Sequence, residues 1–290
     1  MFLPSSTQLL AVAFFVTISS VHFLHAHGAY HDLVERIEAE LKKSPADAAL
    51  HYKLAEAHAG HEESKACLME IAVVERLAPG VYPTGYLRGF ALHTAGSQEE
   101  AKKALDEFLI ANPDHVEALA TRGRVLVKLG SSTAAVADFQ KAVKLTAAPN
   151  TVLIVDLALA LRDSGKPAEA SQAINEGLKT ATDLPTLLLC ALEIETASGA
   201  WDSALGRIDA LQKTAPRPEP WMAKRAALLT KIGRTDEART AWTALRDQLL
   251  SLPSLERGTP QNLQLLQQSR QALGESAPAP VMAPPATGKP

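Results

Sequence analysis

The sequence predicts an all-α protein, a solenoid of about six helix-turn-helix units. Three observations predict it. Ala101, Ala135, Ala170, Ala204 and Ala238 stand at spacings of 34, 35, 34 and 34 residues, and Cys67 extends the series by one more step of 34. A glycine precedes each alanine by five residues: Gly96, Gly130, Gly165, Gly199 and Gly233. The composition is 47% hydrophobic but only 5% aromatic, which suits helices that bury surface mainly through alanine and leucine. A constant period in this range means stacked copies of one supersecondary unit, and such a stack works through an extended surface rather than a single cleft.

The elements follow in chain order. Leu9 to Leu24 carries no charge and contains the run Leu9-Leu10-Ala11-Val12-Ala13-Phe14-Phe15-Val16. Small residues and the triplet Leu24-His25-Ala26 come next, so residues 1–26 read as a secretory signal peptide. An uncleaved N-terminal anchor is the competing reading, because the segment before the apolar run has no Lys or Arg. The apolar stretch of about 16 residues is short for a membrane-spanning helix. Residues 27–46 form a histidine-containing segment and a capping helix: Leu33, Val34, Ile37 and Leu41 share one face of residues 30–43, and Ser44-Pro45 ends it.

Residues 47–253 form the repeat array. In the unit from Val116 to Pro149, Leu119, Gly123, Leu126 and Leu129 recur at helical spacing. Gly130 stops that helix, because glycine accepts the left-handed C-terminal conformation. Ser131 and Ser132 are candidate N-caps for the second helix, whose stripe is Ala135, Val136, Phe139, Ala142 and Val143. Asn112-Pro113-Asp114 marks the break before the unit. Residues 254–275 hold a C-terminal capping helix with Leu263, Leu265, Leu266 and Leu273. Residues 276–290, with Pro278, Pro280, Pro284, Pro285 and Pro290, have little to bury and read as a disordered, partly polyproline tail.

Leu119, Gly123, Leu126, Ala135, Phe139 and Ala142 fall on a large-small-large, then Ala-large-Ala, pattern. Gly89, Leu92, Ala101, Leu105 and Pro113 do so in the preceding unit, and Leu54, Ala55, Cys67, Ile71 and Pro79 in the first. Later units repeat it with Leu157, Ala158, Leu161, Ala170 and Ile174, with Leu188, Ala204, Ile208 and Pro216, and with Met222, Ala226, Leu229, Ala238 and Trp242. This resembles the tetratricopeptide repeat family. The fifth unit departs most, with Leu192 where a small residue is usual and Glu195 where a large one is.

The resemblance implies a right-handed superhelix whose first helices line a concave groove. Carried onto this chain, it implies a partner-binding groove of Tyr52, Glu56, Tyr86, Phe90, His93, Arg124, Lys128 and Arg162. Val155, Leu159, Leu189, Glu193, Lys224 and Lys231 continue it. The chaperone-type members hold a terminal carboxylate with Lys, Asn and Arg. The matching places here are Tyr52, Glu56, Leu87, Ala120 and Arg124, of which only Arg124 suits, so a carboxylate clamp is not expected. The implied function is a non-enzymatic protein-interaction scaffold, periplasmic or secreted, that binds a protein or peptide partner.

Other chemistry is sparsely represented. The formal net charge of -3 gives no basic footprint for nucleic acid. Motifs for nucleophilic hydrolases, zinc peptidases and nucleotide-binding loops are missing from the sequence. Cys67 and Cys190 lie in units separated by others, and repeats touch only neighbours, so both are expected as free, buried thiols. Histidine is the exception: His22, His25, His27, His31, His51, His58 and His61 crowd into the first 61 residues. His51 and His58 fall on core positions of the first repeat. Imidazole suits copper and zinc, so His27, His31, His58 and His61 form the alternative candidate, a Cu or Zn site. No other cofactor is expected.

Overall fold

The computed structural model describes residues 16–180 and 184–275, with side chains from residue 29 onward. All regular structure among them is helical. Two compact units divide the chain, residues 1–148 and 149–290. The first holds α1 (Val16–Leu41), α2 (Ala48–Gly60), α3 (Ser64–Leu77), α4 (Thr84–Thr94), α5 (Gln98–Ala111), α6 (Val116–Lys128) and α7 (Ser132–Leu145). The second holds α8 (Thr151–Asp163), α9 (Pro167–Leu178), α10 (Leu184–Ser198), α11 (Trp201–Thr214), α12 (Glu219–Lys231), α13 (Thr235–Ser251), α14 (Ser254–Arg257) and α15 (Pro260–Leu273). From α2 to α13 the helices pack as six consecutive pairs, making an all-α solenoid.

The glycine ladder makes the turns within pairs. Gly96, Gly130, Gly165, Gly199 and Gly233 all have φ between 73° and 88°, the left-handed region where a Cβ is strained. In the first pair the corresponding residue is Glu62, at φ 61°. The residue after each turn does not become a side-chain cap: Ser131 sits at φ -99°, ψ 48° and its hydroxyl caps nothing. The tight turn sets that conformation in place of the extended one an N-cap needs. Three first helices are capped instead, with Asp47, His115 and Asn150 accepting from backbone amides of α2, α6 and α8.

The alanine ladder makes the crossings. Cys67, Ala101, Ala135, Ala170 and Ala204 are 0% exposed and Ala238 5%. Four residues on, Ile71, Leu105, Phe139, Ile174, Ile208 and Trp242 fill the adjoining space. Facing them, the first helices carry Ala55, Gly89, Gly123, Ala158 and Ala226. A Cβ at Gly89 would lie 2.4 Å from Leu105 Cγ, and one at Gly123 2.7 Å from Phe139 Cε1. The helices are therefore as close as their backbones allow.

The fifth pair solves its irregularity with charge. Glu195 on α10 is 1% exposed and receives both Nε and Nη2 of Arg207 on α11, at 2.9–3.2 Å. Arg207 Nη2 also donates to Asn175 Oδ1 at 2.6 Å, which ties in α9. In the first unit Arg122 on α6 plays a similar part. It donates twice to Asp138 on α7, at 2.7 Å, and once to Asp106 on α5, at 2.8 Å.

The ends differ from the sequence reading in extent. The expected capping helix at 30–43 is the second half of α1, which runs unbroken from Val16 through Leu24-His25-Ala26. Its Ile37 packs with Leu50 and Leu54 of α2. Leu33 stands 34 residues before Cys67, yet it is 39% exposed. No helix among the described residues is long and apolar enough to cross a membrane. The side chains of the expected signal peptide, residues 1–26, and the whole tail 276–290 lie outside the described residues. The C-terminal cap is broken in two at Gly258, and α15 packs on α12 and α13 through Leu266.

Candidate binding face

In the first unit, α2 touches α4 and α4 touches α6, whereas the second helices of the pairs make no comparable contact with one another. The first helices therefore form a continuous inner face. Residues spaced by about one or two turns on them share that face: Tyr52 and Glu56 on α2, Tyr86, Phe90 and His93 on α4, Arg124 and Lys128 on α6.

The centre of this face is aromatic. Tyr52 stacks on Tyr82 with ring centroids 5.1 Å apart and planes 24° apart. Tyr86 meets Phe90 and Phe108 at 6.3 Å and His115 at 5.0 Å. These separations are those of favourable offset and tilted ring pairs. Tyr52, Tyr86 and Phe90 back onto the core of Ala55, Ile71, Leu87 and Ala91 while remaining partly exposed. Burial and the charge of Glu56 raise the Tyr52 phenol above its ordinary value; burial and Glu117 do the same for Tyr86. Both stay neutral hydroxyls at physiological pH.

The rest of the expected groove is less uniform. His93 Nδ1 lies 2.7 Å from Gln98 Oε1, and Gln98 donates back to the His93 carbonyl, so this ring is pinned at the α4–α5 turn. Lys128 and Glu56 are both exposed. Arg162 belongs to the second unit, where Asp163 at 2.8 Å and Glu193 at 2.6 Å engage it. Also in that unit, Lys224 and Lys231 of α12 lie 5.5 Å and 5.9 Å from the rings of Trp221 and Trp201. Desolvation lowers the Lys224 pKa. The second unit thus carries Trp-Lys pairs, with Trp221 on α12 and Trp201 on α11. Tyr82 and His115 escaped the sequence reading because they sit in the loops before α4 and α6, outside any helical register.

The histidines divide. His51, expected as a core ring, is instead held by polar groups, Nδ1 at 2.6 Å from Glu70 Oε2 and Nε2 at 3.2 Å from the Pro45 carbonyl. His31, His58 and His61 gather around one ring, that of Tyr30. The Tyr30 hydroxyl meets His58 Nδ1 at 2.9 Å, and its ring stacks on His61 at 3.9 Å and tilts to His31 at 5.2 Å. The His27 side chain lies outside the described residues. Among the described residues no group of three or more His, Cys, Asp or Glu is arranged to hold a metal ion. Both cysteines are free and buried, and desolvation raises each thiol to about 11.

An all-α stack of consecutive helix pairs is a repeat-type solenoid. Residues 91–150 match the family model of the tetratricopeptide repeat. The fold of the chain is similar to that of a tetratricopeptide repeat protein from Parabacteroides merdae, at 17% identity over 87% of this chain and 96% of that one, with a TM-score of 0.52. It is similar also to pilF of Pseudomonas aeruginosa, at 15% identity over 77% and 98%, TM-score 0.52. A third similar structure is YrrB, described as a repeat protein with an unusual peptide-binding site, at 19% identity over 61% and 90%, TM-score 0.50. No curated protein matches the chain.

Proposed function

We propose that this protein is a non-enzymatic interaction scaffold, exported to the cell envelope or the medium, that holds a segment of a partner protein against the inner face of its first unit. One observation carries the reading: Tyr52, Tyr82, Tyr86 and Phe90 form a partly exposed aromatic cluster on and beside α2 and α4. Aromatic rings bring large contact area at small entropic cost, and Tyr is enriched at the energetic centres of interfaces. The peptide-binding site described for YrrB supports a peptide or protein ligand on this fold. Export rests on the uncharged stretch Leu9 to Leu24. N-terminal sequencing of the protein recovered from cells tests it, a chain starting near His27 being the expected product. The interaction is tested by crosslinking in intact cells followed by mass spectrometry, for the parent and for Tyr86→Ala with Arg124→Ala. Loss of the crosslinked partner with an unchanged melting curve supports the inner face; an unchanged partner removes it.

A second reading, binding of Cu(II) or Zn(II), has one observation in its favour. The fold brings His31 beside His58 and His61, about thirty residues away in sequence, around the Tyr30 ring. Ring rotations would be needed to converge them on an ion. Calorimetric titration with each metal ends this reading if His58→Ala with His61→Ala binds as tightly as the parent.

A further inference from the structure

Two features of the chain are chemically matched and lie far apart in sequence. All four tyrosines fall between residues 30 and 86, and three of them, Tyr52, Tyr82 and Tyr86, belong to the aromatic cluster of the first unit. Five of the eighteen prolines fall within residues 276–290. We propose that the aromatic inner face of the first unit binds an uncharged proline-rich segment, and that residues 276–290 of a second copy of this chain supply it. The proposal rests on the reading of that face as a docking surface and names its ligand.

The argument is one of shape, spacing and charge. A proline-rich segment is already extended, so docking it costs little conformational entropy, and its rings pack against aromatic walls. A polyproline helix has three residues per turn and a rise of about 3.1 Å, hence a repeat of about 9 Å. In that conformation Pro278, Val281, Pro284, Thr287 and Pro290 fall on one face. Packed helices stand about 8–10 Å apart, so successive turns of such a segment meet successive first helices of the unit. The cluster offers neutral rings, because Tyr52 and Tyr86 remain protonated. The segment carries a single charged side chain, Lys289, and exposed Glu56 beside Tyr52 gives it an opposite charge at the rim. A contact between the face of one copy and the tail of another makes association rise with concentration, whether two copies exchange tails or further copies add head to tail.

The test uses full-length protein throughout. The receiving chain carries Pro278→Ala, Pro284→Ala and Pro290→Ala, which disarms its own tail and leaves the face intact. A fluorescently labelled peptide of sequence 276–290 is titrated into it by anisotropy. Saturable binding is expected, weakened at least about tenfold by Tyr86→Ala and restored by Tyr86→Phe, which keeps the ring. The same peptide with Pro278, Pro284 and Pro290 replaced by alanine is expected not to bind. By sedimentation, the parent should associate as concentration rises and the disarmed chain should not. Absence of saturable binding, or binding that ignores Tyr86, overturns the proline-rich ligand. A parent that stays monomeric across the series overturns the second copy as its source. Neither result touches the crosslinked-partner experiment, so the broader docking reading fails or survives on separate data.

Discussion

Gly89→Ala separates close packing from helix propensity, because two glycines in this chain sit in similar helices with opposite surroundings. Gly89 on α4 is buried, and a Cβ there would lie 2.4 Å from Leu105 Cγ and 2.7 Å from Leu105 Cδ2. Carbon atoms prefer about 3.5–4.0 Å, so the overlap approaches an ångström or more. It falls on the branch point of a side chain that is itself 0% exposed. Gly206 on α11 is exposed, and a Cβ there meets nothing within 4 Å. Replacing either glycine by alanine gains about 0.8–1.0 kcal/mol of helix propensity. At Gly206 that gain stands alone. At Gly89 it is opposed by overpacking of about 1–3 kcal/mol, so the net change runs from about zero to 2 kcal/mol of destabilisation. Urea unfolding followed by circular dichroism measures both, with the slope compared between variants, since repeat arrays need not unfold in one step. A double variant, Gly89→Ala with Leu105→Ala, adds a control. Leu105→Ala alone should cost about 2–5 kcal/mol, and the methyl introduced at position 89 should recover part of it, a coupling of about 1 kcal/mol. If Gly89→Ala stabilises the protein as much as Gly206→Ala, the helices of this pair are not in contact where the ladder places them.

Three further outcomes follow from single sites. Glu62→Gly relieves a left-handed backbone conformation and should raise stability by about 1 kcal/mol, read as a higher urea midpoint with an unchanged slope. Arg207→Leu leaves the Glu195 carboxylate buried without its cation and should cost about 3–5 kcal/mol; Arg207→Leu with Glu195→Leu should cost much less, because the stranded charge is gone. Both thiols are raised to about 11 from the ordinary 9.0. The unfolded chain therefore ionises first, and the stability present below pH 9 is lost as pH rises through 11. Native protein at about pH 8, below the ordinary thiol range, should resist a thiol-reactive reagent and urea-unfolded protein should consume two equivalents, whereas rapid native labelling would contradict the burial of Cys67 and Cys190.

Much of this fold is legible in the sequence for a physical reason. A repeat must satisfy the same steric conditions at every step, so Gly96 to Gly233 and Ala101 to Ala238 write the turns and crossings in plain periodicity. What escapes is whatever a single unit solves privately. Glu62 occupies a glycine's place without being one, and only its φ shows that the turn is kept. Glu195 departs from the pattern in the sequence, but its partner Arg207 lies on the next helix at a spacing no repeat rule specifies. Ser131 has the right chemistry for a cap and the wrong backbone angles.

The binding face shows the same division. Helical register places Tyr52, Tyr86 and Phe90 together because first helices of successive repeats adjoin. Register is silent about the connecting loops, and these supply Tyr82, which stacks on Tyr52, and His115, which packs against Tyr86. The loops matter chemically as well as geometrically. His115 caps α6 through Nδ1, which accepts from the Ala118 amide at 3.2 Å. The same ring packs against Tyr86 and Phe108. The end of α6 and the aromatic face thus share one side chain. Tyr86 and the end of α6 are therefore linked through the His115 ring, so the face is a connected surface instead of a set of independent rings.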